Sequence, residues 1–288
     1  MEDKISLIVT LYNRLEYARN MILALQQQTK QIDELIFADD GSSEDVYEYI
    51  KDLLEDCKFK IKYVYQQDIG FRLAASRNNG ARAAENEYLI FLDQDVIFDR
   101  NFIQRIYEVR QKKRIVFSEA LGSSEEEKEK IQRIINEKYD YEKIYKVMSE
   151  EKKIEQDSFV KKEKLYNILY KLKLRTRGAK IVGLIFSLYR EDYIAINGFD
   201  ENYVGWGHED DDFGNRFFKY GGETYSFKFE KYPIHMYHKS ASPKAGSING
   251  SYYRKRKKEI SRSNYMCEYG FKNRKDKDEV KLEYMKKE

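Results

Sequence analysis

Cysteine and proline are both scarce in this sequence, with two of each among its 288 residues. Cys57 and Cys267 lie far apart, so the chain has neither a disulfide framework nor a cysteine-based zinc pattern. We therefore expect a reducing, cytoplasmic setting. Neither Pro233 nor Pro243 marks a linker between domains, and no internal repeat is visible, which favours one main core.

Long apolar runs and a strong excess of one charge are also missing. The run Ile5–Leu11 is too short to cross a bilayer and has no signal-peptide cleavage pattern, so we do not expect secretion. The 53 basic and 50 acidic residues leave a formal net charge of +3, which argues against a dedicated nucleic-acid binder. Neither G-x-G-x-x-G nor a Walker P-loop occurs, which argues against dehydrogenases and NTPases.

The first third of the sequence alternates strand and helix patterns. Strands are predicted over residues 5–11, 35–38, 61–65 and 88–92, and helices around residues 18–25, 46–54 and 73–84. This alternation predicts an α/β fold with a mostly parallel sheet flanked by helices. Because ligands bind beyond the carboxyl ends of such strands, one edge of the sheet should carry Thr10, Tyr12, Asp39, Asp40, Asp93 and Asp95.

The middle and the end of the chain are rich in charge. Residues 123–177 contain many Lys and Glu residues and no glycine, and we interpret them as a charged helical hairpin or lid with a mostly solvated face. We assign residues 1–245 to one domain and residues 246–288 to a basic C-terminal tail. The cluster 254–258 in that tail is either simply solvated or a contact for anionic lipid headgroups or a polyanionic glycan.

Glycine returns after residue 177. A buried strand is predicted over residues 182–187, a glycine-containing loop over residues 198–207, and a helix from near Glu209 that Gly221 caps. Phe213, Phe217 and Tyr220 share one face of that helix.

Asp93 and Asp95 follow an apolar strand directly. Hard oxygen ligands beside a diphosphate suit Mn²⁺ or Mg²⁺, although an Asp-x-Asp pair taken alone is more often a structural turn. His235 and His238 lie downstream, and one neutral imidazole added to the Asp pair would favour Mn²⁺. We prefer His238 to His235 for this role.

The segment Gly205-Trp-Gly-His-Glu-Asp-Asp-Asp212 places a tryptophan between two glycines and acidic residues directly after it. Capping of a helix would account for at most two of these acids. The loop would present the Trp206 ring for stacking on a sugar, beside a carboxylate that acts as a base. We expect the helix dipole to lower the pKa of that carboxylate and burial against the sugar to raise it again.

Two further segments are candidates for nucleotide binding. Asp39-Asp-Gly-Ser-Ser43 either forms a turn and a helix cap or provides an Asp that accepts a hydrogen bond from a base N–H group. Arg77 either binds a diphosphate or simply faces solvent from its helix.

Together these motifs resemble the GT-A fold glycosyltransferases of family 2. The matching segments are Ser6-Leu-Ile-Val-Thr-Leu-Tyr-Asn-Arg14, Phe37-Ala-Asp-Asp-Gly-Ser-Ser43, Ala75-Ser-Arg-Asn-Asn-Gly80 and Leu92-Asp-Gln-Asp95, in this order. Residues 198–213 look like the corresponding region of β-1,4-galactosyltransferases and of the bacterial chondroitin polymerase GalNAc-transferase domain. One departure is His208, where those relatives often have glycine. The resemblance covers residues 1–118 and 180–240 and does not extend to residues 123–177.

The resemblance implies a role for each residue that matches these motifs. Thr10, Tyr12 and Asp40 would hold uridine, and Arg77 and Asp93 would contact the donor. Asp95 and His238 would hold Mn²⁺ (or Mg²⁺), Trp206 would stack on a sugar, and Asp210 would be the general base. The complete predicted site adds Arg14 and Gln94 for the donor, Glu209 as a second catalytic residue, and Gly207 and Asp211 for the acceptor.

The predicted function is therefore that of a metal-dependent, inverting hexosyltransferase. It would transfer a hexose or N-acetylhexosamine, with Gal or GalNAc favoured, from a UDP-sugar to a hydroxyl of a glycan or glycolipid in surface polysaccharide or glycoconjugate synthesis. Two alternatives are a sugar nucleotidyltransferase, which would normally need a glycine loop near its first strand, and a non-catalytic glycan-binding module. We expect no nucleic-acid partner, and a contact with the inner face of an anionic membrane through the basic tail.

Overall fold

A computed structural model describes residues 2–239 and 246–287. Its first part contains β1 (Ile5–Leu11), α1 (Glu16–Gln26), β2 (Glu34–Asp39), α2 (Val46–Ile50), β3 (Lys60–Gln66), α3 (Leu73–Ala83), β4 (Tyr88–Asp93), β5 (Val96–Ile97), α4 (Phe102–Glu108), β6 (Arg114–Phe117) and β7 (Leu121–Gly122). The rest contains α5 (Glu125–Glu137), α6 (Tyr141–Val147), α7 (Glu150–Lys171), β8 (Ile185–Tyr189), α8 (Arg190–Ala195), α9 (Glu209–Tyr220), β9 (Glu223–Ser226), β10 (Ile234–His235), α10 (Gly250–Glu259) and β11 (Val280–Lys286).

The central sheet has eight strands in the order β11-β3-β2-β1-β4-β8-β6-β9. Strands β3, β2, β1 and β4 run parallel to one another, as do β6 and β9, whereas β11 and β8 are antiparallel to their neighbours. The prediction of a mostly parallel α/β sheet is therefore confirmed. Thr10 lies opposite both Ala38 and Asp93, so β1, β2 and β4 end at the same edge.

Buried apolar side chains on both faces of the sheet hold the fold together. Every residue of β1 and β2 is buried, which explains why these strands appear in the sequence as short apolar runs with covered faces. Gly80 allows α3 to lie directly on β1, because a Cβ at this position would come within 2.5 Å of the Ile8 side chain. This close approach also sets the position of Arg77, one turn earlier in the helix.

Residues 123–177 were predicted to form a helical hairpin or lid, and they contain three helices, α5, α6 and α7, instead of the two of a hairpin. A role as a lid stays a prediction. Their inner faces supply Ile131, Ile144 and Val160 to the hydrophobic core that also contains β1, and α7 lies against β9. The outer face of α5 is charged, as predicted, and Ser124 and Glu127 form a capping box at its start. The insertion is therefore part of the main domain.

The C-terminal residues correct a second prediction. Residues 246–288 were expected to form a tail, yet α10 packs beside α9 and β11 pairs with β3 at the edge of the central sheet. Arg72 donates hydrogen bonds to Asp276 and Asp278 just before β11, at 2.9 and 3.1 Å. The division at residue 245 stays a prediction, and residues 240–245, which include Pro243, lie outside the described residues.

One predicted strand is displaced. The strand expected over residues 182–187 is observed as β8, which begins only at Ile185. Residues 182–184, which precede β8, line a cavity instead of forming part of the strand. Arg77 Nη2 donates a hydrogen bond to the Gly183 carbonyl there, at 2.9 Å. Among the described residues, no helix is sufficiently long and apolar to span a bilayer.

Candidate active site

The carboxyl ends of β1 and β4 are joined by side-chain hydrogen bonds. Thr10 Oγ1 donates to Asp93 Oδ1 at 2.8 Å, and the backbone N–H of Tyr12 donates to Gln94 Oε1 at 3.0 Å. Beyond these ends lies a cavity of about 500 Å³. All residues of the predicted site line it: Thr10, Tyr12, Arg14, Asp40, Arg77, Asp93, Gln94, Asp95, Trp206, Gly207, Glu209, Asp210, Asp211 and His238.

Asp39 and Asp40 differ although they are adjacent. Asp39 Oδ1 accepts hydrogen bonds from the N–H groups of Gly41 and Ser42, so Asp39 shapes the turn and does not line the cavity. Asp40 lines the cavity and accepts hydrogen bonds from Gln66 Nε2 at 2.5 Å and Arg72 N at 2.7 Å. Burial raises the pKa of Asp40 to about 6.

Asp95, His235 and His238 form a cluster whose ligand atoms lie within 4.8 Å of one another. The Nε2 atoms of His235 and His238 are each 3.2 Å from one oxygen of Asp95. Pairing of β10 with β5 brings the histidines there, and just after β10 Met236 N donates to the Asp95 carbonyl at 2.8 Å. The sequence favoured His238 alone, whereas the structure places both imidazoles equally close to the carboxylate.

The chemistry of this cluster fits a divalent cation. Burial alone would raise the pKa of Asp95, but the neighbouring imidazoles of His235 and His238 outweigh it and hold the pKa below its usual value. Asp95 Oδ1 is buried and accepts no hydrogen bond, so its lone pairs are available to an ion. One carboxylate and two imidazoles form a mixed oxygen and nitrogen set that suits Mn²⁺ better than Mg²⁺.

Arg77 does not face solvent, in contrast to one of the two interpretations of the sequence. Its side chain is only 2% exposed, with Nη2 3.3 Å from Asp93 Oδ1 and Nη1 3.4 Å from Glu209 Oε1. The guanidinium therefore joins the end of β4 to the start of α9 and to Gly183. The guanidinium also lines the cavity.

The four acids at the start of α9 have separate surroundings. Glu209 lies beside Arg77, Asp211 Oδ2 is 3.0 Å from Lys180 Nζ, and Asp212 is fully buried with Nε of Arg216 at 2.6 Å. Among the described residues, Asp210 accepts hydrogen bonds only from backbone N–H groups, those of Asp211 at 2.7 Å and Gly183 at 3.3 Å. Like Asp40, Asp210 therefore lines the cavity without a cationic side chain in hydrogen-bond contact.

Burial raises the pKa of both Glu209 and Asp210, and their neighbouring carboxylates raise it further. We expected the helix dipole to lower the pKa of the base and burial against the sugar to raise it again, and the pKa of Asp210 is raised by burial within the protein itself. The reason is that α9 begins inside the protein, where desolvation of the carboxylates outweighs the dipole. A carboxylate with a raised pKa is a stronger base than a solvent-exposed one.

The loop before α9 presents Trp206 at the cavity, with 44% of the side chain exposed. Gly205 and Gly207 have φ values of +79° and +94°, a conformation that other residues rarely adopt. Asn249 Nδ2 donates to the Gly207 carbonyl at 3.0 Å, and the ring of His208 stacks on Tyr253 of α10 with centroids 4.6 Å apart. The C-terminal segment therefore holds this loop in place.

Reasoning from the sequence did not name Lys180 and preferred His238 to His235, whereas Lys180 and both histidines line the cavity. Lys180 lies two residues after Gly178, the first glycine after residues 123–177. The return of glycine is the sequence signal that could have indicated a loop near a ligand here. His235 is three residues from His238, and the pairing of β10 that turns both toward Asp95 is a long-range contact with no local signal.

This fold and site define an α/β protein of the GT-A type. A family model described as glycosyl transferase family 2 matches residues 6–179, which is more than half of the chain. The chain therefore belongs to glycosyl transferase family 2. A second model, described as the N-terminal domain of galactosyltransferase, matches residues 163–239, so the predicted resemblance of both parts is confirmed.

Curated relatives agree with this family. Validoxylamine A glucosyltransferase of Streptomyces hygroscopicus is 25% identical over 223 residues, covering 75% of this chain and 52% of the relative. Chondroitin synthase of Escherichia coli is 35% identical over 108 residues, covering 37% of this chain and 16% of the synthase. The chain thus spans about half the length of the former relative and less of the latter.

Solved structures show the same fold. The mannosyltransferase PcManGT from Pyrobaculum calidifontis, in complex with GDP-Man and Mn²⁺, has a TM-score of 0.52 and 14% identity, covering 88% of this chain and 61% of that one. TarS of S. aureus has a TM-score of 0.50 and 13% identity, covering 81% of this chain and 60% of the TarS fragment 1–349.

Proposed function

We propose that the chain is a metal-dependent, inverting glycosyltransferase that moves a hexose or N-acetylhexosamine from a UDP-sugar to a hydroxyl of a glycan or glycolipid. The observation that carries this proposal is the convergence of Asp95, His238 and Asp210 on one cavity, although they come from three distant segments. When an acceptor hydroxyl displaces a nucleoside diphosphate from a sugar, a cation stabilises the leaving diphosphate and a base takes the hydroxyl proton. A cation-binding cluster and an ionisable carboxylate in the same cavity provide both groups.

The donor fits the edge formed by the carboxyl ends of β1, β2 and β4. Thr10, Tyr12 and Asp40 would hold the uridine, and Asp93, Gln94, Arg14 and Arg77 would lie along the diphosphate and the donor sugar. Asp95, His235 and His238 would hold Mn²⁺, which neutralises charge that develops on the leaving diphosphate. The known GT-A structure with GDP-Man and Mn²⁺ supports a divalent ion as cofactor.

The acceptor fits the opposite wall, formed by the loop before α9 and the start of that helix. Trp206 would stack on a sugar, and Gly207 and Asp211 would border it. Asp210 would take the proton of the acceptor hydroxyl while that oxygen forms a bond to the anomeric carbon. The bond from this carbon to the UDP oxygen breaks on the other side with its electron pair, so the anomeric configuration inverts.

The choice of sugar rests on the similarity to other proteins. The match to a galactosyltransferase domain and to chondroitin synthase favours Gal or GalNAc, whereas other relatives are named for glucose. Mn²⁺-dependent release of UDP, measured across a panel of UDP-sugars with each candidate acceptor, tests both the reaction and the sugar. Absence of UDP release with every UDP-sugar would contradict the proposed donor.

Replacing the base separates chemistry from binding. Asp210→Asn should lower kcat by about 10²–10⁴-fold, because a positioned general base contributes that much, while UDP binding is retained. The matched control Asp211→Asn removes a neighbouring carboxylate that is paired with Lys180, and it should cost less. The role of Asp210 would be wrong if the Asn variant turned over at a nearly normal rate.

A further inference from the structure

The outward face of α7 carries apolar side chains where a surface helix ordinarily carries charges. Val160 and Glu163 lie on the buried side of this helix. On the other side Leu165, Ile168 and Leu172 are 52%, 55% and 63% exposed. Their spacing of three and four residues places them on one stripe. Such a stripe costs free energy in water unless something covers it.

Positive charge coincides with this stripe. Residues 161–177 contain Lys161, Lys162, Lys164, Lys171, Lys173, Arg175 and Arg177 and a single acid, the buried Glu163. In residues 150–160 of the same helix the acids Glu150, Glu151, Glu155 and Asp157 outnumber the bases Lys152 and Lys153. The apolar stripe therefore lies in the basic half of the helix, which favours an anionic partner.

A second basic segment lies close to the end of this one. Asn215 of α9 accepts a hydrogen bond from Arg177 Nη1 at 3.3 Å and donates one to the Tyr253 hydroxyl of α10 at 3.2 Å. Helix α10 carries the cluster 254–258. Between the two segments Lys180 and Asp211 line the cavity, so both basic segments adjoin the proposed acceptor side of the site.

We propose that the C-terminal half of α7 and the three residues after it, together residues 161–174, bind an anionic membrane surface. Leu165, Ile168 and Leu172 enter the boundary between headgroups and acyl chains, and the lysines around them contact lipid phosphates. An apolar stripe flanked by lysine and arginine is the pattern of helices that lie in this interface. The proposal does not depend on the transferase assignment, because lipid binding is measured without donor or acceptor.

Flotation with vesicles tests the surface directly. The wild-type chain should float with vesicles of equal parts phosphatidylcholine and phosphatidylglycerol, and much less with phosphatidylcholine alone. The variant Ile168→Ser/Leu172→Ser should weaken binding to the anionic vesicles by about tenfold or more, because two apolar side chains no longer enter the lipid. Lys161→Gln/Lys164→Gln should weaken it by about fivefold for each charge removed.

The matched control is Ile154→Ser, which removes a 65% exposed isoleucine from the acidic half of the same helix and should leave vesicle binding nearly unchanged. All these side chains point outward, so circular dichroism and thermal unfolding should match the wild type. The proposal is overturned if the wild-type chain ignores anionic vesicles, if Ile154→Ser weakens binding as much as Ile168→Ser/Leu172→Ser, or if the stripe instead proves to hold a dimer that the double variant dissociates.

Discussion

The two walls of the cavity are built differently. The wall that we propose for the donor, the donor wall, is made by the ends of neighbouring strands, where Thr10 and Asp93 lie opposite each other in a parallel ladder. The wall that we propose for the acceptor, the acceptor wall, is made by loops and by the start of α9, and its parts are held by contacts between residues far apart in the chain, such as Asn249 with Gly207. Backbone hydrogen bonds of the sheet thus fix the donor wall, whereas tertiary packing fixes the acceptor wall.

Arg77 joins these two walls, and its removal should give the largest effect on stability. Arg77→Met leaves Asp93 and Glu209 without their cationic partner and should lower the free energy of unfolding by about 3–5 kcal/mol, as expected when a buried ion pair loses one partner. Urea unfolding measures the change. Arg105→Met, which removes an exposed pair with Glu108, is the matched control and should cost less than about 1 kcal/mol.

A loss for Arg77→Met no greater than that for Arg105→Met would show that the walls are held independently of each other. The contacts of Arg77 with Asp93 and Glu209 would then not be what holds the two walls together. Because Arg77 also lines the cavity, UDP binding by the variant should be measured in the same preparations to separate folding from recognition.

The cluster of Asp95, His235 and His238 sharpens the comparison, because Asp95 follows β4 in the donor wall while His235 ends β10 and His238 lies three residues after it. His235→Ala and His238→Ala should each weaken Mn²⁺ binding by at least about 10–100-fold, the loss that even partners outside the coordination shell produce. Isothermal titration with Mn²⁺ in the presence of UDP measures both. Equal losses would support two imidazole ligands, whereas a loss for His238→Ala alone would restore the interpretation favoured by the sequence.

The pH dependence tests the environment of the acceptor wall. Asp210 accepts a proton only when it is ionised, and burial raises its pKa, so kcat/KM should fall as the pH decreases through that raised value. The acid limb should therefore lie above the usual aspartate pKa of about 3.9. If kcat/KM instead fell only near this ordinary pKa, the result would contradict the assignment of a buried Asp210 as the base. Asp210→Asn should remove the part of the limb that this group causes.

The difference between the walls also explains what the sequence could predict. Strands β1 to β4 and the residues at their ends follow from apolar runs and strand periodicity, and the start of α9 and its Gly221 cap follow from local signals. Sequence patterns did not show that α10 and β11 pack on the domain, because their basic composition resembles a solvated tail. The direction of the Asp210 pKa shift could not be fixed from the sequence for a related reason, since desolvation depends on contacts across the fold.

We propose that Asp95, His235 and His238 hold one divalent ion in the cavity that Asp210 also lines. A crystal structure with UDP and Mn²⁺, with anomalous diffraction recorded at the manganese edge, measures this directly. We expect one anomalous peak between these three side chains, in contact with the diphosphate, and Asp210 across the cavity from it. A peak elsewhere, or a diphosphate bound away from Asp95, would contradict the account.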